Sequence, residues 1–244
     1  MSRAPWWRSY FDDDFYQLHE SFFPERRNRR EVAGMIELLA LPIGARVLDA
    51  PCGWGRHTAL LADAGYAACG ADLSYGLLRR APRQATGCYA ACDIRALPFR
   101  DASFDAVINV FTSLGLFLND DDDLAALREA RRVLRSGGAM LLETMHRDDV
   151  MRSYAERDAW TLPDGTQVRV RRRFDAVAGV SHERLRWKRG SAHGRKAHAL
   201  RLRTATEIDA LLRAAGFQRI RHYGGWNGRP FTHRQESLIA VASV

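Results

Sequence analysis

Three aspartates stand where short apolar runs end. Asp49 closes VLD and is followed by a turn containing Pro51, Gly53 and Gly55; Asp72 ends GAD, and Asp93 ends ACD. A carboxylate at a strand tip, with small or turn-forming residues opening a helix after it, is how an open α/β sheet receives a nucleoside-type ligand at the carboxyl edge of its strands. Gly53 and Gly55 allow close approach of the backbone, because a Cβ there would take the ligand's space. The loop is not the G-x-x-x-x-G-K-[ST] phosphate cradle, and it lacks the basic residue a triphosphate needs. Asp72 is placed to accept from both hydroxyls of a ribose. Asp93 beside Ile94 suits an adenine ring, with the carboxylate taking the exocyclic amine and the aliphatic side chain packing on the ring face. One isolated aspartate is ordinarily a turn or cap residue, but three at successive strand ends point to a site. A nicotinamide dehydrogenase would place glycine where Asp49 stands.

Those tips need strands and helices in a set order. From Arg46 onward, short apolar runs alternate with amphipathic stretches, the rhythm of βαβ units and a mainly parallel sheet. The runs at 45–50, 67–73, 88–94, 104–111 and 139–145 predict five strands. Helices are expected at 58–66, at 75–84 with a stop near Pro82, and at 122–134, where SGG (136–138) is expected to end the helix. Between Trp160 and Thr204 the pattern becomes alternation, in TQVRVRRRFDA, HERLRWKRG and KAHALRLRT, which predicts antiparallel strands of a small added sheet. A helix over 204–217 and the runs RIRHYGGW and ESLIAVASV complete a sheet of about seven strands. The N-terminal YFDDDFYQLHESFFPERRNRREVAGMIELLAL predicts two helices.

In order, the Asp49 to Gly55 turn, GADLS, CDIRALPF, SFDAVINVFTSLGLF and LREARRVLRSGGAMLLET resemble the successive motifs of the class I S-adenosylmethionine-dependent methyltransferases, and AAGFQRIRHYGGWNGRPF resembles the ending of their bacterial small-molecule branch. One departure is Pro51, where the family's loop has its first glycine. An altered loop geometry is expected there rather than lost binding. The resemblance implies a Rossmann-like, doubly wound α/β fold whose mainly parallel seven-stranded sheet carries a small inserted antiparallel lobe. The expected division is an N-terminal helical lid at 1–34, a core at 35–154 and 205–244, and a lobe at 155–204 covering the acceptor. It implies S-adenosylmethionine as cofactor and S-adenosylhomocysteine as product, with Asp49, Pro51, Gly53 and Gly55 at the methionine moiety, Asp72 and Leu73 at the ribose, Asp93 and Ile94 at the adenine, and Asn109 with Phe111 under the sulfonium. Such transfer proceeds by in-line displacement, so the protein must align a nucleophile, exclude water and supply a base where the nucleophile is protonated.

The acceptor side is less legible. His146, just past the fifth strand, is the candidate base; Asp148 and His222 are weaker candidates for the same duty. Trp226 in a glycine-flanked loop and Tyr16 in the N-terminal aromatic cluster are candidate substrate contacts. That cluster, Trp6 to Tyr16, reads either as a mobile lid or as a helix packed by its own aromatic face. No metal site is expected, and none of the pairs among Cys52, Cys69, Cys88 and Cys92 has C-x-x-C spacing, so all four are expected to be reduced thiols.

Composition bounds the alternatives. Apolar residues are 46% and charged residues 27% of 244, which excludes a disordered chain or a disulfide-stapled miniprotein. The absence of an ~18-residue apolar span and of a signal peptide leads to an expectation of a cytoplasmic protein without a membrane partner. The net charge of +8 is uneven: residues 1–150 carry −3 and residues 151–244 carry +11. A basic lobe draws acidic ligands or nucleic acid, although only Lys188 and Lys196 among the 37 basic residues are lysines, an arginine excess that GC-rich codons also produce. Enzymes that methylate flipped base amines usually carry an Asn-Pro-Pro-aromatic turn after the fourth strand, and here the segment is NVFTSLGLF. The leading expectation is therefore a small-molecule O- or N-methyltransferase. The alternatives are an RNA methyltransferase using the arginine-rich lobe and a non-catalytic cofactor-binding partner protein. A homodimer is left open.

Overall fold

Val47 and Leu48 are neighbours on β1 (Arg46–Asp49), so their side chains face opposite ways, yet both are fully buried. Burial on both faces requires helices on both sides of the sheet, as in doubly wound α/β proteins. The computed structural model describes residues 5–82 and 88–244. Leu48 joins a core with α6 (Asp120–Val133) and α8 (Ala205–Ala214), while Val47 joins a second core with α3 (Glu25–Leu39) and α4 (Arg56–Asp63).

Beside β1 lie β2 (Ala67–Asp72) and β3 (Cys88–Ala91) on one side, and β4 (Phe104–Asn109) and β5 (Leu134–Met145) on the other. With β10 (Arg219–Tyr223) and β11 (Ser237–Ser243) the order is β10-β11-β5-β4-β1-β2-β3, and β11 alone runs antiparallel to its neighbours. The order of connection reverses between β1 and β4. The carboxyl ends of those strands therefore open into a crevice at the switch point, the place where such sheets bind ligands.

The α/β class, the seven strands and the added antiparallel lobe all match expectation, with several differences of detail. SGG does not end a helix: α6 runs directly into β5 at Leu134, and Gly137, at φ +75°, lies within that strand beside an irregular pairing to β4. The lobe has four strands rather than three, β6 (Arg157–Thr161), β7 (Gln167–Asp175), β8 (Val180–Arg189) and β9 (Ala192–Arg201), because a short first strand precedes the alternating run. Thr204 caps α8 through a reciprocal capping box with Glu207. The N-terminal segment forms α1 (Trp7–Tyr10), α2 (Asp13–His19), a 3₁₀ turn at Glu20–Phe22 and α3, where two helices were expected. After β2 comes α5 (Tyr75–Leu78), and the rest of the expected 75–84 helix lies partly outside the described residues. Cys69 and Cys88 are directly opposite on β2 and β3 and form a disulfide with a Cα–Cα distance of 4.6 Å, correcting the expectation of four free thiols. A separation of 19 residues carries no sign that two strands will lie side by side. Among the described residues no helix is long and apolar enough to cross a membrane.

Candidate functional site

A cavity of about 560 Å³ opens at the switch point. Its floor is the loop after β1. Thr58, in the first turn of α4, donates to Asp49 Oδ2 from its hydroxyl (2.7 Å) and its backbone N–H (3.2 Å), which fixes the carboxyl in place. Asp49 Oδ1 is buried without a partner. Burial, opposed by the Thr58 hydrogen bonds and by Arg56, pushes the Asp49 carboxyl up to about 7.

Asp72 closes the next side. Its two oxygens accept from the backbone N–H groups of Gly53 (2.7 Å) and Ser74 (2.8 Å), so the carboxylate ties the first loop to the second. Burial raises its pKa against those donors. Pro51, Gly53, Leu73 and Ile94 also line the cavity. Gly53 takes φ +55° and a Cβ there would stand in open space, whereas Gly55, at φ +74°, turns away from the cavity, and a Cβ on it would lie 2.6 Å from Tyr89 Oη. Gly55 thus serves packing rather than ligand approach. The Ala50–Pro51 peptide is cis.

Asp93 lines the cavity, but Arg95 grips its carboxylate through Nε (3.0 Å) and Nη2 (2.6 Å), and the same guanidinium reaches Asp122. The pair holds Asp93 below the usual carboxylate range, and Arg95 stacks on Phe117. Asn109 does not line the cavity. It points to the other face of β4, where Nδ2 donates to Ala50 O at 2.8 Å and braces the β1 loop from beneath. Phe111 does line it, at φ +63°, followed by Thr112 at φ +56°. Two consecutive left-handed non-glycine residues are costly and persist only where their surroundings hold them. Here Glu143 Oε2 accepts from Phe111 N–H at 2.7 Å, and Thr112 Oγ1 accepts from Met145 N–H at 3.1 Å.

The acceptor candidates fare differently. His146 is fully buried and absent from the cavity wall, with Nε2 donating to Gln235 O at 2.6 Å and the ring edge-on to Phe231. A base must reach the proton it takes, so the structure corrects this assignment. From β5, Glu143 and Met145 reach the cavity; Glu143, three positions before His146, lies on the opposite face of the chain. Burial raises its pKa. Strict alternation in LLETMH separates Glu143 from His146, but only the fold says which face meets the cavity. Asp148 and His222 do not line the cavity, and Asp149 does. Tyr16 stacks edge-on to Trp54 beneath Arg80, outside the cavity. Trp226 packs on helix α3 at Gly34, in the core on the Val47 side. The rings that enclose the cavity are instead Trp6, Trp7, Tyr10, Phe11 and Phe15 from the N-terminal segment, with Trp54, Phe111 and Phe117.

Three histidines missed in the sequence also line it, His19, His57 and His198. His19 Nδ1 contacts Phe15 O at 2.8 Å with its ring stacked on Phe15, and His198 lies against Trp6 and Tyr10. Burial lowers the pKa of both His19 and His198, which favours the neutral imidazole in each. Behind the wall, Glu31 accepts from Arg27 (2.8 Å), Arg56 (2.6 Å) and His57 (2.7 Å). Burial opposes ionisation of Glu31, yet the His57 hydrogen bond and the Arg56 charge hold it well below the usual range. Burial and Arg56 lower His57 to about 4, so it donates as a neutral imidazole. This network clamps α3 to the start of α4 and sets the Arg56 guanidinium 4.3 Å from the Phe23 ring. Among the described residues no cluster of His, Cys, Asp and Glu could hold a metal ion.

Residues 47–138 match the family model described as a methyltransferase domain. The malonyl-[acyl-carrier protein] O-methyltransferase of Erwinia pyrifoliae is 42% identical over 101 residues, 41% of this chain and 37% of that protein, so the chain spans well under half of this relative. The CcbJ methyltransferase from Streptomyces caelestis superposes with a TM-score of 0.83 at 18% identity, covering 97% of this chain and 98% of that one. A SAM-bound amino pentose methyltransferase from Micromonospora echinaspora superposes at 0.72 and 22%, covering 95% and 97%. Residues 47–138 are thus similar to the methyltransferase domain family, and the chain shares the fold of these solved structures over nearly its whole length.

Proposed function

We propose that the chain binds S-adenosylmethionine and transfers its methyl group to a small-molecule acceptor, releasing S-adenosylhomocysteine. The observation that carries this is the buried, unpartnered Asp49 Oδ1 on the wall of the switch-point cavity. An orphaned buried carboxylate oxygen is costly unless a cation or donor meets it, and the ammonium of the cofactor's methionine portion is such a cation. Asp72 and Leu73 would hold the ribose. Asp72 spends one lone pair of each oxygen on the loop, leaving others to accept from hydroxyls. Ile94 would pack on the adenine, whereas Asp93, paired with Arg95, is less free to read its amine.

The bound cofactor supplies an electrophilic methyl on a sulfonium. What remains for the chain is to exclude water, orient the acceptor and take its proton. The N-terminal rings and the inner face of the lobe, through His198 and Leu200, would enclose the acceptor as lid and cover. Glu143 is the residue we assign to the acceptor's proton: its carboxyl is held by Phe111 N–H at the cavity edge, and burial, by raising its pKa, makes it a stronger base than an exposed glutamate. An acceptor amine would also find an ionic partner in it.

Transfer of a labelled methyl group from S-adenosylmethionine into an extract of the source organism, separated into small molecules, RNA and protein, tests the reading. Label in the small-molecule fraction is expected. Label in RNA would replace the acceptor class, and cofactor binding with no labelled product would make the chain a cofactor-binding partner protein.

A further inference from the structure

Several arginines of the α/β core meet acids: Arg56 meets Glu31, Arg95 meets Asp93, Arg132 meets Glu129 and Arg203 meets Asp123. The outer face of the four-stranded sheet gathers six that do not. Arg157, Arg169, Arg171, Arg184, Arg186 and Arg195 alternate with inward residues, are all exposed, and form no ion pair among the described residues. The register sets them directly opposite one another, Arg157 with Arg171, Arg169 with Arg186, Arg171 with Arg184, and Arg186 with Arg195. Like charges in cross-strand partners, with Cβ atoms about 5 Å apart, destabilise a sheet. A GC-rich codon usage would account for arginine in place of lysine among these cations. It does not explain four like-charged pairs on one face while the lobe's acids Asp158 and Glu183 pair with Arg172 instead.

We propose that this face is a docking surface for the phosphate backbone of a nucleic-acid duplex. Arginine's planar fork matches phosphate geometry, and a flat lattice of unpaired guanidinium groups complements a line of phosphates. The face offers no large apolar or aromatic side chain, only small residues such as Ala159 and Ala197 between the cations. A protein interface would need an apolar or aromatic anchor at its centre, and a single strand would need rings on which to stack bases. A second copy of the chain would bring two cationic sheets together. The opposite face of the sheet carries Val168, Val170 and Leu185 into a local core, and His198 and Leu200 reach the cavity from that side. The duplex therefore docks away from the cavity and presents no base to it. The site is one of attachment, independent of the methyl-transfer reading.

The test is fluorescence anisotropy of a labelled duplex of about 20 base pairs titrated with the full chain at several salt concentrations. The comparison variant is the fourfold Arg169→Gln, Arg171→Gln, Arg184→Gln, Arg186→Gln, with S-adenosylhomocysteine binding and circular dichroism as checks that the cavity and fold persist. The wild type is expected to bind with a steep negative dependence of log K on log salt. Loss of four phosphate contacts should reduce that slope by about 3.6. If the fourfold variant does not fold, the Arg195→Gln, Arg157→Gln pair should reduce the slope by about 1.8. No duplex binding at low salt, or an unchanged slope in the folded variant, overturns the proposal. So does equal competition by polyglutamate or by phosphatidylserine vesicles, or a wild-type dimer that the variant abolishes.

Discussion

The titration of Asp49 is open to direct measurement. Its carboxyl is 1% exposed and moves from 3.8 in the ordinary state to about 7 in the folded chain. A folded pKa above the unfolded one means that between these values the folded chain holds a proton that the unfolded chain has released. This group's contribution to stability is thus full below about pH 4 and is lost as pH rises toward 7, an effect of about 4 kcal/mol for a shift of about three units. A cation at Oδ1 reverses the sense, because it binds the ionised form. With a pKa near 7, the carboxylate is about 3% ionised at about pH 5.5 and about 75% ionised at about pH 7.5. The affinity for S-adenosylhomocysteine should therefore rise about 25-fold across that interval, about 1.9 kcal/mol. His57, at about 4, stays neutral throughout and adds nothing to the slope. Isothermal titration calorimetry at three pH values, on the wild type and on Asp49→Asn, reads the effect, and the asparagine variant should bind weakly with a much flatter profile. A wild-type affinity independent of pH, or an equal rise in the variant, would show that no ligand cation meets Oδ1.

Other substitutions separate the residues that line the cavity from those that only support it. His146→Ala should lower unfolding stability by about 1–3 kcal/mol, since it leaves the Gln235 carbonyl unpaired in the interior, while turnover per folded molecule stays at the wild-type level; a large loss of kcat in a fully folded variant would return His146 to the mechanism. Glu143→Gln keeps an acceptor for Phe111 N–H but removes the base, so kcat for a protonated acceptor should fall ~10²-fold or more with cofactor affinity little changed, and unaltered rates would remove Glu143. Gly55→Ala should destabilise the fold by about 1–3 kcal/mol, from its left-handed backbone and the contact with Tyr89, which thermal denaturation measures; Gly55→Ala in a Tyr89→Ala background should recover part of that loss.

Much of the fold was legible along the chain because it rests on local chemistry. Periodicity marked the strands that build the sheet, and the change to strict alternation near residue 160 marked the second sheet. Asp49 and Asp72 stood out because a carboxylate at a strand tip has a restricted set of uses, and both line the cavity. The departures lie where an element's neighbours decide its meaning. SGG reads as a helix stop in isolation, but the pairing of β5 with β4 and β11 draws those residues into a strand.

The sequence by itself determined the order of strands and helices, the carboxylates at the strand tips and the basic character of the lobe, since each follows from residue type at short spacing. Tertiary structure alone decided which face of each strand meets the cavity, and so exchanged His146 for Glu143 and moved Asn109 beneath the loop. It also joined Cys69 to Cys88 and aligned the unpaired arginines of the lobe on one face. Each of those outcomes depends on the register and packing of neighbouring elements, and a side chain one position along a strand points the other way.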